Sequence, residues 1–144
     1  NLTLNGTLST VRNPQVNGVL LFNAGGVIST GTILYGTNST LQYNKNGSWL
    51  MAREWNIWGT PVNIIVGGNT NINFAVSSGE IGNMVCTGNL TIEQGSTLDI
   101  SLKRGSLTVG GNILISGTFV MPLQIWGGAL DLRLAGNWTR TSTA

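Results

Sequence analysis

One short phrase keeps returning along this chain, and it constrains the fold more than any other feature. It reads Asn1-Leu2-Thr3-Leu4, then Asn89-Leu90-Thr91-Ile92, Ser106-Leu107-Thr108-Val109 and Ala129-Leu130-Asp131-Leu132, with a fainter copy at Asn71-Ile72-Asn73-Phe74. From that copy onward the spacings are 18, 17 and 23 residues. Each phrase alternates polar and apolar residues, the period of a β-strand with one buried face. Recurrence at about 20 residues is the mark of a repeat architecture, in which each unit buries its apolar face on its neighbours.

Other strand-like runs lie between the phrases: Val19-Leu20-Leu21-Phe22, Thr32-Ile33-Leu34-Tyr35, Ile64-Ile65-Val66, Asn112-Ile113-Leu114-Ile115 and Thr118-Phe119-Val120-Met121. Turn signals such as Gly25-Gly26, Gly67-Gly68-Asn69, Gly95-Ser96, Gly110-Gly111-Asn112 and Gly127-Gly128 punctuate them. No window holds a capped helical period, so the chain is expected to be all-β. Two architectures fit. Asn5-Gly6, Asn17-Gly18 and Asn46-Gly47 are hairpin-type turns and would suit an antiparallel β-sandwich. The repeat covers more of the chain and points to a parallel β-solenoid, or β-helix, of about seven turns at roughly 20 residues each. Residues 1–144 are read as one solenoid module, part of a longer repetitive chain or fibre. Leu90, Ile92, Leu107, Val109, Leu130 and Leu132 are its expected core.

Composition narrows the function. Only 8% of the residues are charged, the net charge is +2, and there is no His. Seven scattered basic residues make no footprint for nucleic acid. No apolar run approaches the roughly 20 residues of a membrane-spanning helix, so membrane insertion is not expected. The commonest general base and metal ligand is missing, and one Cys rules out an internal disulfide or a multi-cysteine zinc site. Cys86 itself reads as a buried, inert thiol.

The run Gly88-Asn89-Leu90-Thr91-Ile92-Glu93-Gln94-Gly95-Ser96-Thr97-Leu98-Asp99-Ile100 resembles a phrase of repetitive surface proteins of Bacteroidota. Leu107-Thr108-Val109-Gly110-Gly111-Asn112-Ile113 and Ile115-Ser116-Gly117-Thr118-Phe119 resemble it too. Ser39-Thr40-Leu41-Gln42-Tyr43, with Glu54-Trp55 and Pro61-Val62-Asn63-Ile64, is similar to another segment of those proteins, and Gly136-Asn137-Trp138-Thr139 looks like the opening of a further repeat. The resemblance implies a secreted, cell-surface protein, often exported by the type IX system, with a part in adhesion, gliding or extracellular fibres.

Few residues carry chemistry. The carboxylates are Glu54, Glu80, Glu93, Asp99 and Asp131. Asp99 and Asp131 lie 32 residues apart, too far for adjacent rungs, whereas glycosidase chemistry needs two carboxylates held about 5–10 Å apart. Calcium would need six or more oxygen ligands, and no cofactor or metal is expected. An ice-binding threonine array is not expected either, since Thr3, Thr91 and Thr108 are followed by Asp131 at the next phrase. The non-enzymatic candidate is the aromatic segment Tyr43, Trp49, Trp55 and Trp58, with Lys45, Arg53 and Glu54 beside it. Tyr43, Trp49, Arg53, Trp55 and Trp58 would form a ligand or interface site if exposed, with glycans the natural partner. If folded inward, the rings are core. The sequons at Asn1, Asn5, Asn38, Asn46, Asn89 and Asn137 fit turns and stacked amide ladders as well as glycosylation. The expected role is a non-catalytic structural or adhesive module that self-associates head to tail or joins neighbouring repeats, outside the cell. The alternative is a carbohydrate-binding module using Trp49–Trp58.

Overall fold

The structure, a computed structural model, describes residues 1–51, 54–55, 59–74, 83–101, 105–121 and 130–141. The chain winds through three strands per turn. The first turn is β1 (Leu2–Leu4), β2 (Thr7–Ser9) and β3 (Gln15–Val16); the second is β4 (Val19–Asn23), β5 (Val27–Thr30) and β6 (Leu34–Tyr35). The third holds β7 (Thr40–Asn44) and β8 (Gly47–Met51), and the fourth β9 (Asn63–Val66), β10 (Thr70–Phe74) and β11 (Met84–Cys86). Next come β12 (Leu90–Ile92), β13 (Thr97–Asp99) and β14 (Gly105–Val109), then β15 (Ile113–Ile115), β16 (Thr118–Val120) and β17 (Leu130–Leu134), and last β18 (Trp138–Arg140). Every strand pairing among the described residues is parallel. The fold is a parallel β-solenoid, and the antiparallel sandwich is excluded.

The first face stacks seven strands in the order β1-β4-β7-β9-β12-β15-β18. Seven passes enclose six coil-to-coil steps, so the expected seven turns are a slight overcount. The steps run from Leu2 to Leu20, Leu41, Ile64, Leu90, Ile113 and Trp138, between 18 and 26 residues each. Leu20, Leu41, Ile64, Leu90 and Ile113 are fully buried, and Phe22, Tyr43, Val66, Ile92 and Ile115 form a second buried column beside them. Burying each such side chain contributes about 1.5–3 kcal/mol, which is what holds otherwise short strands together.

The repeating phrase does not mark one face. Leu2–Leu4 and Leu90–Ile92 lie on the first face, Thr70–Phe74 on the second, and Gly105–Val109 with Leu130–Leu134 on the third. Any strand here must alternate inward and outward residues, so the same pattern serves all three faces. Its spacing therefore differs from the length of a turn. Of the expected core, Leu90, Ile92, Leu107 and Val109 are buried, whereas Leu132 is only half-buried, no strand among the described residues stacking beyond it on β17; the side chain of Leu130 lies outside the described residues. The threonine column is also different: Thr3 and Thr91 share a column with Leu21, Gln42, Ile65, Leu114 and Thr139, while Thr108 sits on the third face. Asn5-Gly6, Asn17-Gly18 and Asn46-Gly47 are corners between consecutive faces rather than hairpins. At the last of these Asn46 and Gly47 both take positive φ, 51° and 128°, a turn that glycine and asparagine accept with least cost.

Candidate functional site

The aromatic segment folds inward. In β7, period two carries Leu41 and Tyr43 to the interior and delivers Lys45 to the same side just past the strand's end. Tyr43 and Trp55 are each 1% exposed. The Tyr43 ring stacks on Phe22 of the coil before it, centroids 5.8 Å apart at 27°. Trp55 meets Phe74 edge to face at 6.0 Å, and its indole N–H donates to the Val85 carbonyl at 3.0 Å. These two rings are core, and neither offers a face to a sugar. Trp49 is half-buried, and its indole nitrogen is buried without a hydrogen-bond partner among the described residues. Arg53 and Trp58 lie outside the described residues.

Two charged side chains are buried with the rings. The Lys45 ammonium lies 3.2 Å from the centroid of the Trp49 ring and 5.5 Å from that of Phe22, and donates to the Gly26 carbonyl of the preceding coil. Cation–π attraction of this kind strengthens as water is removed. Glu54 is 1% exposed. Its carbonyl accepts the Tyr35 hydroxyl at 2.5 Å, and its carboxylate oxygen Oε1 lies 3.4 Å from the Tyr43 hydroxyl. Burial, helped by the nearby Glu54 charge, raises both tyrosine hydroxyls well above their usual range. Burial lowers Lys45, and the Glu54 charge works against that shift. Below Lys45 a polar ladder follows the corner: its backbone N–H donates to Thr70 Oγ1 at 2.7 Å, and the Thr70 N–H donates to Ser96 Oγ at 3.3 Å. Thr70 and Ser96 are buried, and their hydroxyls accept from backbone N–H groups at this corner, the Thr70 N–H being shared with the Gly67 carbonyl at 3.2 Å.

The sequence pointed to Tyr43, Trp49 and Trp55 but not to Tyr35, Phe22, Thr70 or Ser96. Those come from other coils, and only the stacking brings them together. The inward position of Lys45 was readable from the alternation Leu41, Tyr43, Lys45. Three of the described carboxylates are set apart: Glu54 is interior, Asp99 is on the second face and accepts the Ser101 N–H at 2.8 Å, and Asp131 is on the third, bridged to Arg133 at 2.7 Å in solvent; Glu93 is exposed just past β12. Cys86 is buried, and its single S–H has two carbonyl acceptors within reach, Val62 at 3.2 Å and Asn89 at 3.3 Å.

A second constellation runs along the edge of the first face. The amide oxygen of Asn63 accepts the backbone N–H of Asn89 at 3.0 Å, that of Asn89 accepts Asn112 at 2.8 Å, and that of Asn112 accepts Asn137 at 2.9 Å. Asn1 does the same for Val19 at 2.9 Å. In Gly88-Asn89, Gly111-Asn112 and Gly136-Asn137 the glycine is dictated by this close approach, since a Cβ there would fall 2.5–2.6 Å from the asparagine oxygen of the coil before and 2.5–2.8 Å from that coil's backbone. The recurring Gly-Asn pair is thus a register clamp from coil to coil. A shorter side-chain ladder joins Asn44 to Asn23 at 3.3 Å and Asn23 to Asn5 at 2.8 Å, the stacked amides expected from the sequence. Gly111→Ala is expected to cost about 1–3 kcal/mol through overpacking. Asn89→Ala should not rescue it, because the Gly88 carbonyl group remains 2.8 Å from the new methyl. Urea melts of the single and double variants check this; full rescue would place the strain on the asparagine alone.

No family model matches the chain, and neither a curated protein nor a solved structure matches it.

Proposed function

We propose that this chain is a non-catalytic structural or adhesive module of an extracellular surface protein or fibre, acting through the stacking of coils. The observation that carries the reading is the asparagine clamp. Asn137 occupies the column in which Asn63, Asn89 and Asn112 each hand an acceptor to the following coil. On the same coil Trp138 stacks over Ile113 yet is 42% exposed, and Leu132 and Leu134 on β17 are half-buried. A further coil laid on β17 and β18 would find a backbone edge, an amide acceptor and an apolar column already in register. That coil would come from the same polypeptide or from a second copy stacked head to tail, where Leu2 and Leu4 present the matching column. The likeness of the Gly-Asn-Leu-Thr-Ile phrase to Bacteroidota surface repeats supports the same placement outside the cell.

Light scattering over a concentration series tests the self-association. The average mass is expected to grow with concentration, and Trp138→Asp should suppress the growth; a monomer at the highest concentration would count against head-to-tail stacking. A glycan array tests the rival reading of sugar binding by Trp49–Trp58. With Tyr43 and Trp55 buried, no saturable binding is expected, and saturable binding lost on changing Trp49 would favour the rival.

A further inference from the structure

Three Asn-Gly pairs stand at corners of the coil, and the structure treats them unequally. Such a pair carries its own chemistry. The glycine nitrogen closes a five-membered ring on the asparagine side-chain carbon, with no Cβ in the way. Two things govern that step: the freedom of the nitrogen and the polarisation of the amide carbonyl.

At Asn46-Gly47 the nitrogen is engaged, since the Gly47 N–H donates to the Asn69 carbonyl at 3.1 Å. At Asn17-Gly18 the pair is wedged between coils. A Cβ on Gly18 would fall 2.5 Å from Asn1 Oδ1, and the Asn17 amide oxygen fills the space that a Cβ on Gly36 would need. Neither restraint holds at Asn5-Gly6. Both residues are exposed, and a Cβ on Gly6 would meet nothing within 4 Å. Among the described residues the Gly6 N–H makes no hydrogen bond.

Asn5 also has a donor on its amide oxygen, which Asn17 and Asn46 lack among the described residues. Asn23 Nδ2 donates to Asn5 Oδ1 at 2.8 Å, and Asn44 Nδ2 holds Asn23 in turn by donating to its Oδ1 at 3.3 Å. A donor there steadies the negative charge that forms on the oxygen when Cγ is attacked. The ladder runs one way, so the nitrogen that leaves, Asn5 Nδ2, supports none of its bonds.

We propose that Asn5-Gly6 is a self-modification site, a deamidation centre in which the Asn23 amide positions and polarises the reacting carbonyl. The Gly6 nitrogen gives its proton to solvent base and bonds to Asn5 Cγ. The oxyanion on Oδ1 then collapses, the Cγ–Nδ2 bond breaks, and the nitrogen takes a proton from water and leaves as ammonia. Water opens the resulting succinimide at one of its two carbonyl carbons. The product is aspartate at position 5, or isoaspartate, in which the main chain runs through Cγ. One water is consumed, one ammonia is released and nothing is oxidised. Either product lowers the net charge of +2 by one. The aspartate keeps an acceptor for Asn23, whereas isoaspartate lengthens the corner between β1 and β2 by one main-chain carbon. The inference does not depend on the surface-module reading, since every reacting atom belongs to one chain.

Incubating the folded chain at neutral pH, with peptide mass mapping and an isoaspartate assay at each site, tests it. Conversion at Asn5 is expected to lead, about tenfold ahead of Asn46, where the nitrogen is hydrogen-bonded. In urea the three pairs should convert at similar rates. Asn23→Asp keeps the acceptor for Asn44 but loses the donor, and Asn23→Ala loses it without adding charge. Both should slow Asn5 about tenfold, short of the hundredfold or more of a buried oxyanion donor, and leave Asn46 unchanged. Equal rates at the three pairs in the folded chain overturn the proposal, as does the same lead for Asn5 in urea. Conversion at Asn5 that is unchanged or faster in both Asn23 variants overturns it too. The order of the sites is read on the parent protein, so the test stands even where a variant does not fold.

Discussion

Trp55→Ala is expected to lower the stability of the fold by about 3–5 kcal/mol, which for a chain of this size corresponds to a fall in Tm on the order of 10 °C. The indole is 1% exposed, packs edge to face on Phe74 and hydrogen-bonds the Val85 carbonyl. Truncation leaves a cavity beside β10 and strands an acceptor in β11, so two coils are disturbed at once. Trp55→Phe keeps most of the volume but not the hydrogen bond, and should cost about 1–3 kcal/mol. Equilibrium urea melts of both variants give the measurement. An alanine variant as stable as the parent would place Trp55 outside the core and restore it as a recognition residue.

Alkaline solution is expected to unfold the protein well before its backbone chemistry would suffer. Burial pushes the Cys86 thiol from its ordinary 9.0 up to about 12, against the backbone N–H groups of Gly88 and Ile64, which pull it down. The folded state therefore holds a proton that the unfolded chain gives up. Stability from this group is intact below pH 9 and is lost as pH rises toward 12, by about 4 kcal/mol in all. Tyr35 and Tyr43 are raised as well and add to the loss above their usual value of 10.0. Lys45, lowered by burial, acts the other way and favours the fold as pH climbs toward 10.5. Cys86→Ala removes the slope that the thiol carries. Between pH 9 and 12 its stability should fall less steeply than that of the parent, by about 1.4 kcal/mol per pH unit. Parallel slopes for the two proteins would show that the thiol does not titrate as its burial requires.

Much of the architecture was legible in the residues. Alternation at Asn1–Leu4, Asn89–Ile92 and Ser106–Val109 gave the strands, and recurrence gave the solenoid, because each strand must bury one side on the strand above. The asparagines marked the ladders. What the repeat could not give was the assignment of phrases to faces, since every face imposes the same alternation and the corners vary from Asn5-Gly6 to Glu93-Gln94-Gly95-Ser96. That is why the turn count came out high and why Thr108 was grouped with Thr3 and Thr91. For the aromatic segment, the sequence left burial and exposure open. Composition alone does not say which way a ring faces when its packing partners, Phe22, Phe74 and the Val85 carbonyl, are 19 or more residues distant.

The sequence by itself determined that this chain is all-β, coiled and repetitive, because period two and recurrence are local properties that any strand must carry. The tertiary structure alone decided which strands share a face, that Tyr43 and Trp55 lie inside, and that Lys45 and Glu54 are buried at a seam between coils. Those are decided by contacts between successive turns, 18 to 26 residues apart along the first face, where the free energy lies in packing and in satisfying buried polar groups rather than in any local preference.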